Sequence, residues 1–204
     1  ATNADVQLWA ELENGQRIEG ESAIGKAPSP IVRLGCLPAQ PPALPRALEA
    51  ISNADLILLG PGSLYTSLLP NLLVPALVRT IQQSRAPKLY ICNLMTQPGE
   101  TDGLDVVGHL RAIEAQLASL GISQKLFNAV LAQDDLGESP LVKQYQARGA
   151  EPVNCDAQAL IAKGYELMQA PLQGKRPRAT LRHDPRSLAL AVMRFYRKHK
   201  KNAQ

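Results

Sequence analysis

The feature that most constrains the fold is a short apolar run that ends abruptly in a glycine-rich loop. The run Leu56 to Leu59 has the length of a strand and no polar interruption, which predicts a strand buried on both faces of a parallel sheet. The Gly-Pro-Gly-Ser loop that follows offers two glycines, which permit positive φ and close approach of a ligand to the backbone. It also brings hydroxyls to the expected start of a helix. The predicted anion cradle consists of Gly60, Gly62, Ser63, Thr66 and Ser67. The same turn would also serve as a plain connection from strand to helix, and both interpretations are open on these residues alone.

The residues before this loop predict an antiparallel hairpin. Val6 to Leu12 alternates apolar and polar residues, Asn14-Gly15 is a two-residue turn signal, and Arg17 to Ile24 is expected to return as the second strand. A further strand is expected at Ile31 to Leu37, before a proline-rich segment that no helix can cross.

Along the rest of the chain, segments of strand character alternate with segments of helical character. Strands are predicted at 56–59, 88–92, 126–132, 152–154 and 179–181, and helices at 46–53, 64–69, 75–84, 105–120, 140–148, 157–168 and 186–200. This alternation predicts an α/β fold with a parallel or mostly parallel sheet and helices on both faces. Asp184 and Pro185 suit the N-cap and the first turn of the last helix.

Composition narrows the class of protein. The 204 residues suffice for one α/β domain or for part of a larger one, and the core must be aliphatic because only 4% of the residues are aromatic. Cys36, Cys92 and Cys155 lie far apart without a Cys-x-x-Cys motif, which predicts plain buried thiols, no zinc site and a reducing cytoplasm.

The apolar region from Leu56 to Val78 is broken by proline and glycine, so it is not expected to span a membrane. The net charge of +4 comes mostly from the C-terminal residues, which is more typical of a solvated helix end than of a nucleic-acid surface.

Three polar loops are expected at one edge of the sheet. If the strands at 56–59, 88–92 and 126–132 are parallel, the loops that follow them leave the sheet together, where α/β proteins bind ligands. Asn93 and Thr101 would suit hydroxyls of a sugar or edges of a base, and Asp134 would suit a ribose or a metal ion. Simpler roles are open as well, namely turn capping for Asn93, an ordinary surface turn around Thr101 and a solvated position for Asp134. Two later positions are equally open: Tyr145 in a helix that could pack in the core, and the His183-Asp184 pair, which could only cap a helix.

Three longer motifs resemble a known family. The segments ADLILLGPGSLYTSLLPNLLV (54–74), CNLMTQPGET (92–101) and LRHDP (181–185) closely resemble the bacterial gluconeogenesis-factor family, in the same order and with a likeness that covers essentially the whole chain. That family is the CofD-like group, which is related to 2-phospho-L-lactate transferase. The resemblance implies a Rossmann-like three-layer α/β sandwich.

The resemblance also implies a function. Members of the bacterial branch are cytoplasmic proteins that bind UDP-sugars, notably UDP-N-acetylglucosamine, and support cell shape and envelope homeostasis on gluconeogenic carbon sources, with no firmly attached reaction and no certain cofactor. The alternative is a nucleotide-dependent transferase that uses a divalent metal such as Mg²⁺. The transferase branch has Gly-Pro-Ser-Asn-Pro where this chain has Gly60-Pro61-Gly62-Ser63-Leu64, so its chemistry does not carry over on that motif.

Site residues follow from the positions that match the motifs. The resemblance implies a phosphate cradle in the glycine loop, a sugar or base contact at Asn93, a further contact at Thr101, and UDP-sugar contacts at Tyr145 and Arg182, whose guanidinium would suit a diphosphate. Family members begin with a glycine-rich segment that this chain lacks. Residues 1–204 are therefore expected to form a single α/β domain, the C-terminal two-thirds of a longer CofD-like domain, whose site lacks one wall. No metal ligand is expected among these residues, and the chain could form a homo-oligomer.

Overall fold

The computed structural model of the chain describes residues 1–173 and 180–201, and these form two sheets surrounded by helices. The strands are β1 (Gln7–Leu12), β2 (Arg17–Glu19), β3 (Ile31–Leu37), β4 (Ile57–Leu59), β5 (Lys88–Ile91), β6 (Ala129–Gln133) and β7 (Glu166–Ala170). The helices are α1 (Glu21–Ile24), α2 (Pro45–Ser52), α3 (Leu69–Leu72), α4 (Pro75–Gln83), α5 (Val106–Ser119), α6 (Pro140–Gln146), α7 (Ala157–Ala162) and α8 (Pro185–Lys201). One wide helical turn, Leu64–Leu68, precedes α3.

The two sheets have different topologies. The first three strands form an antiparallel sheet in the order β2-β1-β3, which includes the expected hairpin. The later four strands form a parallel sheet in the order β4-β5-β6-β7. Leu59 lies opposite Tyr90, and Tyr90 lies opposite Val130, so neighbouring strands end at nearly the same level. The loops that follow β4 and β5 therefore leave the sheet side by side.

Side chains of the central strands alternate between two packed layers, as parallel strands covered on both faces require. Tyr90 and Val130 face a core that they share with α5 and with the antiparallel sheet. Leu89, Ile91 and Leu131 face a second core, which they share with α6 and α8. Both faces of the central strands β5 and β6 are covered, and this confirms the expected three-layer α/β architecture.

The strand before the glycine loop is not buried as expected. In the described chain, β4 pairs only with β5 and lies at the edge of the sheet. The side chain of Leu58 is 41% exposed, because the layer that covers the central strands does not extend over this position. The prediction of a strand buried on both faces is therefore wrong for β4, whereas it holds for β5 and β6, of which Tyr90 and Val130 are fully buried.

The C-terminal third differs most from the predicted elements. The single helix predicted at 157–168 is wrong, because α7 ends before Gly164, whose φ of 73° breaks the helix, and the chain then enters β7. The strand predicted at 179–181 is also wrong for Thr180 and Leu181, which are irregular, while residue 179 lies outside the described residues. The strand predicted at 152–154 is reduced to one bridge between Pro152 and Met95.

Two smaller expectations also changed or were met. The second arm of the hairpin is shorter than predicted, because β2 ends at Glu19 and residues 21–24 form α1. The cysteines are free thiols, with Cys36 and Cys92 buried and Cys155 partly buried.

No single helix of residues 1–173 and 180–201 is long and apolar enough to cross a membrane. The pair Leu64–Leu72 and Pro75–Gln83 reaches that length and composition only jointly, across a bend of 76°.

Candidate functional site

A cleft of about 550 Å³ opens where the loops after β4 and β5 meet the segment before α8. Clefts of this size accommodate a small-molecule ligand, and the carboxyl edge of a parallel sheet is where α/β proteins bind one. The described residues that line it are Pro61, Gly62, Ser63, Asn93, Leu94, Met95, Thr96, Gln97, Tyr145, Leu181, Arg182 and His183. Five of the nine residues predicted for the site are therefore brought together, namely Gly62, Ser63, Asn93, Tyr145 and Arg182.

The path of the glycine loop depends on Gly60. Its φ is 99°, a region that favours glycine, and a Cβ at this position would lie 2.5 Å from the carbonyl oxygen of Ile91. Gly62 has a different role, because its φ is not in the left-handed region and a Cβ there would meet only side-chain atoms, of Leu68 at 3.2 Å and of Ser67 at 3.4 Å. Gly60 thus shapes the loop from outside the cleft lining, whereas Gly62 presents backbone to the cleft.

The helical turn after the loop is held by a buried carboxylate that no sequence motif indicates. Glu100 is only 7% exposed, and its two carboxylate oxygens accept hydrogen bonds from the Thr66 hydroxyl at 2.7 Å and the Tyr65 amide at 3.3 Å. Burial raises the pKa of Glu100 above its ordinary value, although both hydrogen bonds oppose that change. The sequence signal was an acid in a polar loop after β5, and nothing local to residue 100 indicates that it folds back onto Thr66.

Two side-chain hydrogen bonds join the walls of the cleft. The Asn93 amide donates to the carbonyl oxygen of Gly62 at 2.9 Å, and the Gln97 amide donates to the Ser63 hydroxyl oxygen at 2.8 Å. Because the Ser63 oxygen accepts from Gln97, its own hydrogen is left to donate toward the cleft. Gln97, which was not among the predicted site residues, therefore orients the Ser63 hydroxyl, the side-chain group best placed to bind an anion.

Four predicted site residues lie outside the lining of the cleft. Thr101 is fully buried, and its hydroxyl oxygen accepts from the backbone N–H of Gln97 at 2.8 Å, so it stabilises the loop from the side away from the cleft. The Thr66 hydroxyl donates to Glu100, Ser67 is exposed away from the cleft, and Gly60 shapes the turn. The structure gives Thr66 and Thr101 roles in positioning the two loops.

The third wall comes from the segment before α8 and from α6. Arg182 is exposed and makes no ion pair with any described residue, and it supplies the only formal positive charge among the residues that line the cleft. Tyr145 lines the cleft and also packs partly against the second core, so it combines the two roles that the sequence left open. Asp184 accepts from the Ser187 amide at 2.9 Å, as expected of an N-cap.

His183 is fixed between the wall and the sheet. Its Nε2 lies 3.1 Å from the carbonyl oxygen of Cys92 at the end of β5. A carbonyl oxygen only accepts, so Nε2 carries the proton and Nδ1 is the bare nitrogen in the neutral ring. Burial lowers the pKa of His183 below its ordinary value, which favours this neutral form.

The third predicted loop does not join this site. Asp134, with Gln133 and Asp135, lines a neighbouring cleft of about 530 Å³ near Asp156. The Asp134 carboxylate accepts from the Asp135 amide at 2.7 Å, which turns the chain locally after β6. The expectation that all three loops converge on one site is therefore wrong for the loop at 133–135, and the described lining of the main cleft contains no carboxylate.

Comparisons with known proteins agree with this architecture. The sequence profile of the family described as 2-phospho-L-lactate transferase CofD matches residues 1–173. A Nostoc sp. protein is 46% identical over 196 residues, which are 96% of this chain and 42% of that protein. The Bacillus subtilis gluconeogenesis factor is 38% identical over 189 residues, which are 93% of this chain and 58% of that protein.

A solved structure gives the same result in three dimensions. The crystal structure of a UPF0052 family protein from Bacillus halodurans superposes with a TM-score of 0.85 at 38% identity, and the match covers 94% of this chain and 60% of that one. The chain thus spans 42% to 60% of the length of these three proteins. The profile match covers most of the chain, and the relatives agree with it: this chain belongs to the CofD family, within which it is similar to the proteins named gluconeogenesis factor.

Proposed function

We propose that the cleft binds the diphosphate of a UDP-sugar, with UDP-N-acetylglucosamine as the ligand to test first. The observation that carries the proposal is the set of groups that line the cleft, with no carboxylate among its described lining: the oriented Ser63 hydroxyl, the partly buried backbone at Gly62 and the guanidinium of Arg182, which makes no ion pair with any described residue. Hydroxyls, backbone amides and arginine are the groups that favour phosphate oxygens. Tyr145 and Asn93 would contact the rest of the nucleotide sugar.

The biological role proposed for this binding is regulation. A relative of similar sequence is named gluconeogenesis factor, and a chain that senses a nucleotide sugar in the cytoplasm would couple the supply of envelope precursors to growth on gluconeogenic carbon and to cell shape. Binding without turnover is sufficient for such a role. The described lining of the cleft supports it, because it offers anion contacts and lacks an acidic group that would serve as a general acid or a metal ligand.

Replacement of Arg182 with glutamate should abolish most of this binding. The substitution removes a charge-assisted contact to the diphosphate and adds a repulsive carboxylate, so we expect affinity for UDP-N-acetylglucosamine to fall by at least about 100-fold. Ser63→Ala removes one neutral donor and should cost about 3- to 10-fold. Isothermal titration calorimetry of the full chain gives both values.

Arg186→Glu is the matched control. This substitution makes the same change of charge four residues further along the chain. Arg186 is exposed in the first turn of α8 and does not line the cleft. It should leave affinity within about 2-fold, because its side chain does not line the cleft and an exposed charge is screened by physiological salt. Equal affinities for the wild type, Arg182→Glu and Ser63→Ala would place the ligand elsewhere and remove the proposal.

A nucleotide-dependent transferase remains the second candidate, since the family profile is described as 2-phospho-L-lactate transferase. Such a reaction would use a divalent metal, and the residues of this cleft do not fit one. Its described lining has no carboxylate, and no cluster of three metal-binding side chains occurs in residues 1–173 and 180–201. Product formation from a nucleotide diphosphate donor with Mg²⁺, lost in Asn93→Ala, would favour the transferase over the regulator.

A further inference from the structure

His183 is placed to read an uncharged group of the ligand beside its diphosphate. The ring lines the cleft next to Arg182, and its Nε2 proton is held by the Cys92 carbonyl oxygen at 3.1 Å. Nδ1 lies on the other edge of the ring. It has no hydrogen-bond partner among the described residues. Nδ1 is also not fully buried, because His109 Nε2 is the only fully buried side-chain nitrogen or oxygen of those residues that lacks a hydrogen-bond partner.

The Cys92 carbonyl oxygen therefore fixes the tautomer of His183, and with it the hydrogen-bonding group that the ring presents to a ligand. With Nε2 committed as a donor, neutral His183 presents Nδ1 as an acceptor only. All the anion-binding groups of the cleft are donors, and they cannot distinguish one diphosphate from another. An acceptor beside them selects for a ligand that carries an O–H donor close to its phosphates.

We propose that His183 Nδ1 accepts a hydrogen bond from a hydroxyl of the nucleotide sugar, and so acts as a specificity-determining residue of the cleft. This inference rests on the proposed function. The hydroxyl belongs either to the ribose or to the hexose, which flank the diphosphate on its two sides.

The test is calorimetric titration of the full chain with UDP-N-acetylglucosamine at about pH 8, where an ordinary histidine is neutral. His183→Phe should bind about 5- to 10-fold more weakly than the wild type, because a neutral hydrogen bond is lost. His183→Gln retains an N–H for the Cys92 carbonyl oxygen and an oxygen acceptor for the ligand, so it should bind like the wild type.

UDP distinguishes the two sources of the hydroxyl, because it keeps the ribose and lacks the hexose. If the hydroxyl is on the hexose, His183→Phe and the wild type should bind UDP equally at about pH 8; if it is on the ribose, UDP should show the same factor as the nucleotide sugar. Wild-type affinity in His183→Phe for both ligands, or an affinity in His183→Gln as weak as in His183→Phe, would overturn the inference while Arg182→Glu still lost binding. Absence of binding by the wild type would instead reject the proposed function.

Discussion

Gly60→Ala should destabilise the protein by at least about 3 kcal/mol. A φ of 99° costs a residue with a side chain about 1 to 2 kcal/mol, and the new Cβ would lie 2.5 Å from the Ile91 carbonyl oxygen, which is backbone of a central strand and cannot move aside. In a domain of this size, the melting temperature should fall by about 6 to 12 °C. Differential scanning calorimetry or chemical denaturation measures the change.

Gly15→Ala separates the two causes. Gly15 has a φ of 81° in the hairpin turn, and nothing lies within 4 Å of a Cβ built there. This variant should therefore show the conformational cost alone, about 1 kcal/mol. If both variants lost the same stability, the contact with Ile91 would not be what requires glycine at position 60, and the account of the loop would be wrong.

Glu100→Ala should cost about 2 to 4 kcal/mol of unfolding free energy. The change removes the acceptor of both the Thr66 hydroxyl and the Tyr65 amide, and a buried donor left without a partner costs about 1 to 3 kcal/mol. It also leaves a cavity at a side chain that is only 7% exposed. Urea denaturation at neutral pH gives the free-energy change.

Glu100→Gln is the conservative comparison. Its oxygen can accept from the Tyr65 amide while its nitrogen donates to the Thr66 hydroxyl, which rotates to accept, so the loss should stay below about 1 kcal/mol. The glutamine also avoids the desolvation that raises the pKa of Glu100. An alanine variant as stable as the glutamine variant would show that these hydrogen bonds do not hold the two loops together.

The sequence pattern correctly predicted the structural elements that depend on residues close together in the chain. The hairpin turn at Asn14-Gly15, the strand Ile31–Leu37 and the N-cap at Asp184 all depend on residues within a few positions of one another. The segment at 157–168 shows where this fails. An apolar run interrupted by Gly164 fits one helix or a helix followed by a strand, and the choice depends on β6, which lies far away in sequence and supplies the parallel partner of β7.

The same distinction separates the parts of the candidate site. Order along the chain placed Ser63 and Asn93 on adjacent loops, because consecutive parallel strands release their loops at one edge. The resemblance to a family, and not the local pattern, indicated Arg182. Glu100 and His183 could not be assigned from sequence, since their roles arise from contacts with Thr66 and with the Cys92 carbonyl across the fold.

The edge position of β4 was equally invisible to pattern. A continuous apolar run is typical of a strand covered on both faces, yet the exposure of Leu58 depends on which strands lie beside it. An apolar sequence shows that a strand can be buried. Whether it is buried depends on which strands and helices the topology places beside it.

The most direct test of the central claim is a crystal structure of the full chain with UDP-N-acetylglucosamine. The account predicts density for the ligand between the glycine loop and the segment before α8, with diphosphate oxygens within hydrogen-bond distance of the Ser63 hydroxyl and the Arg182 guanidinium. An ordered ligand in the neighbouring cleft beside Asp134, with the Ser63 and Arg182 cleft holding only solvent, would contradict it.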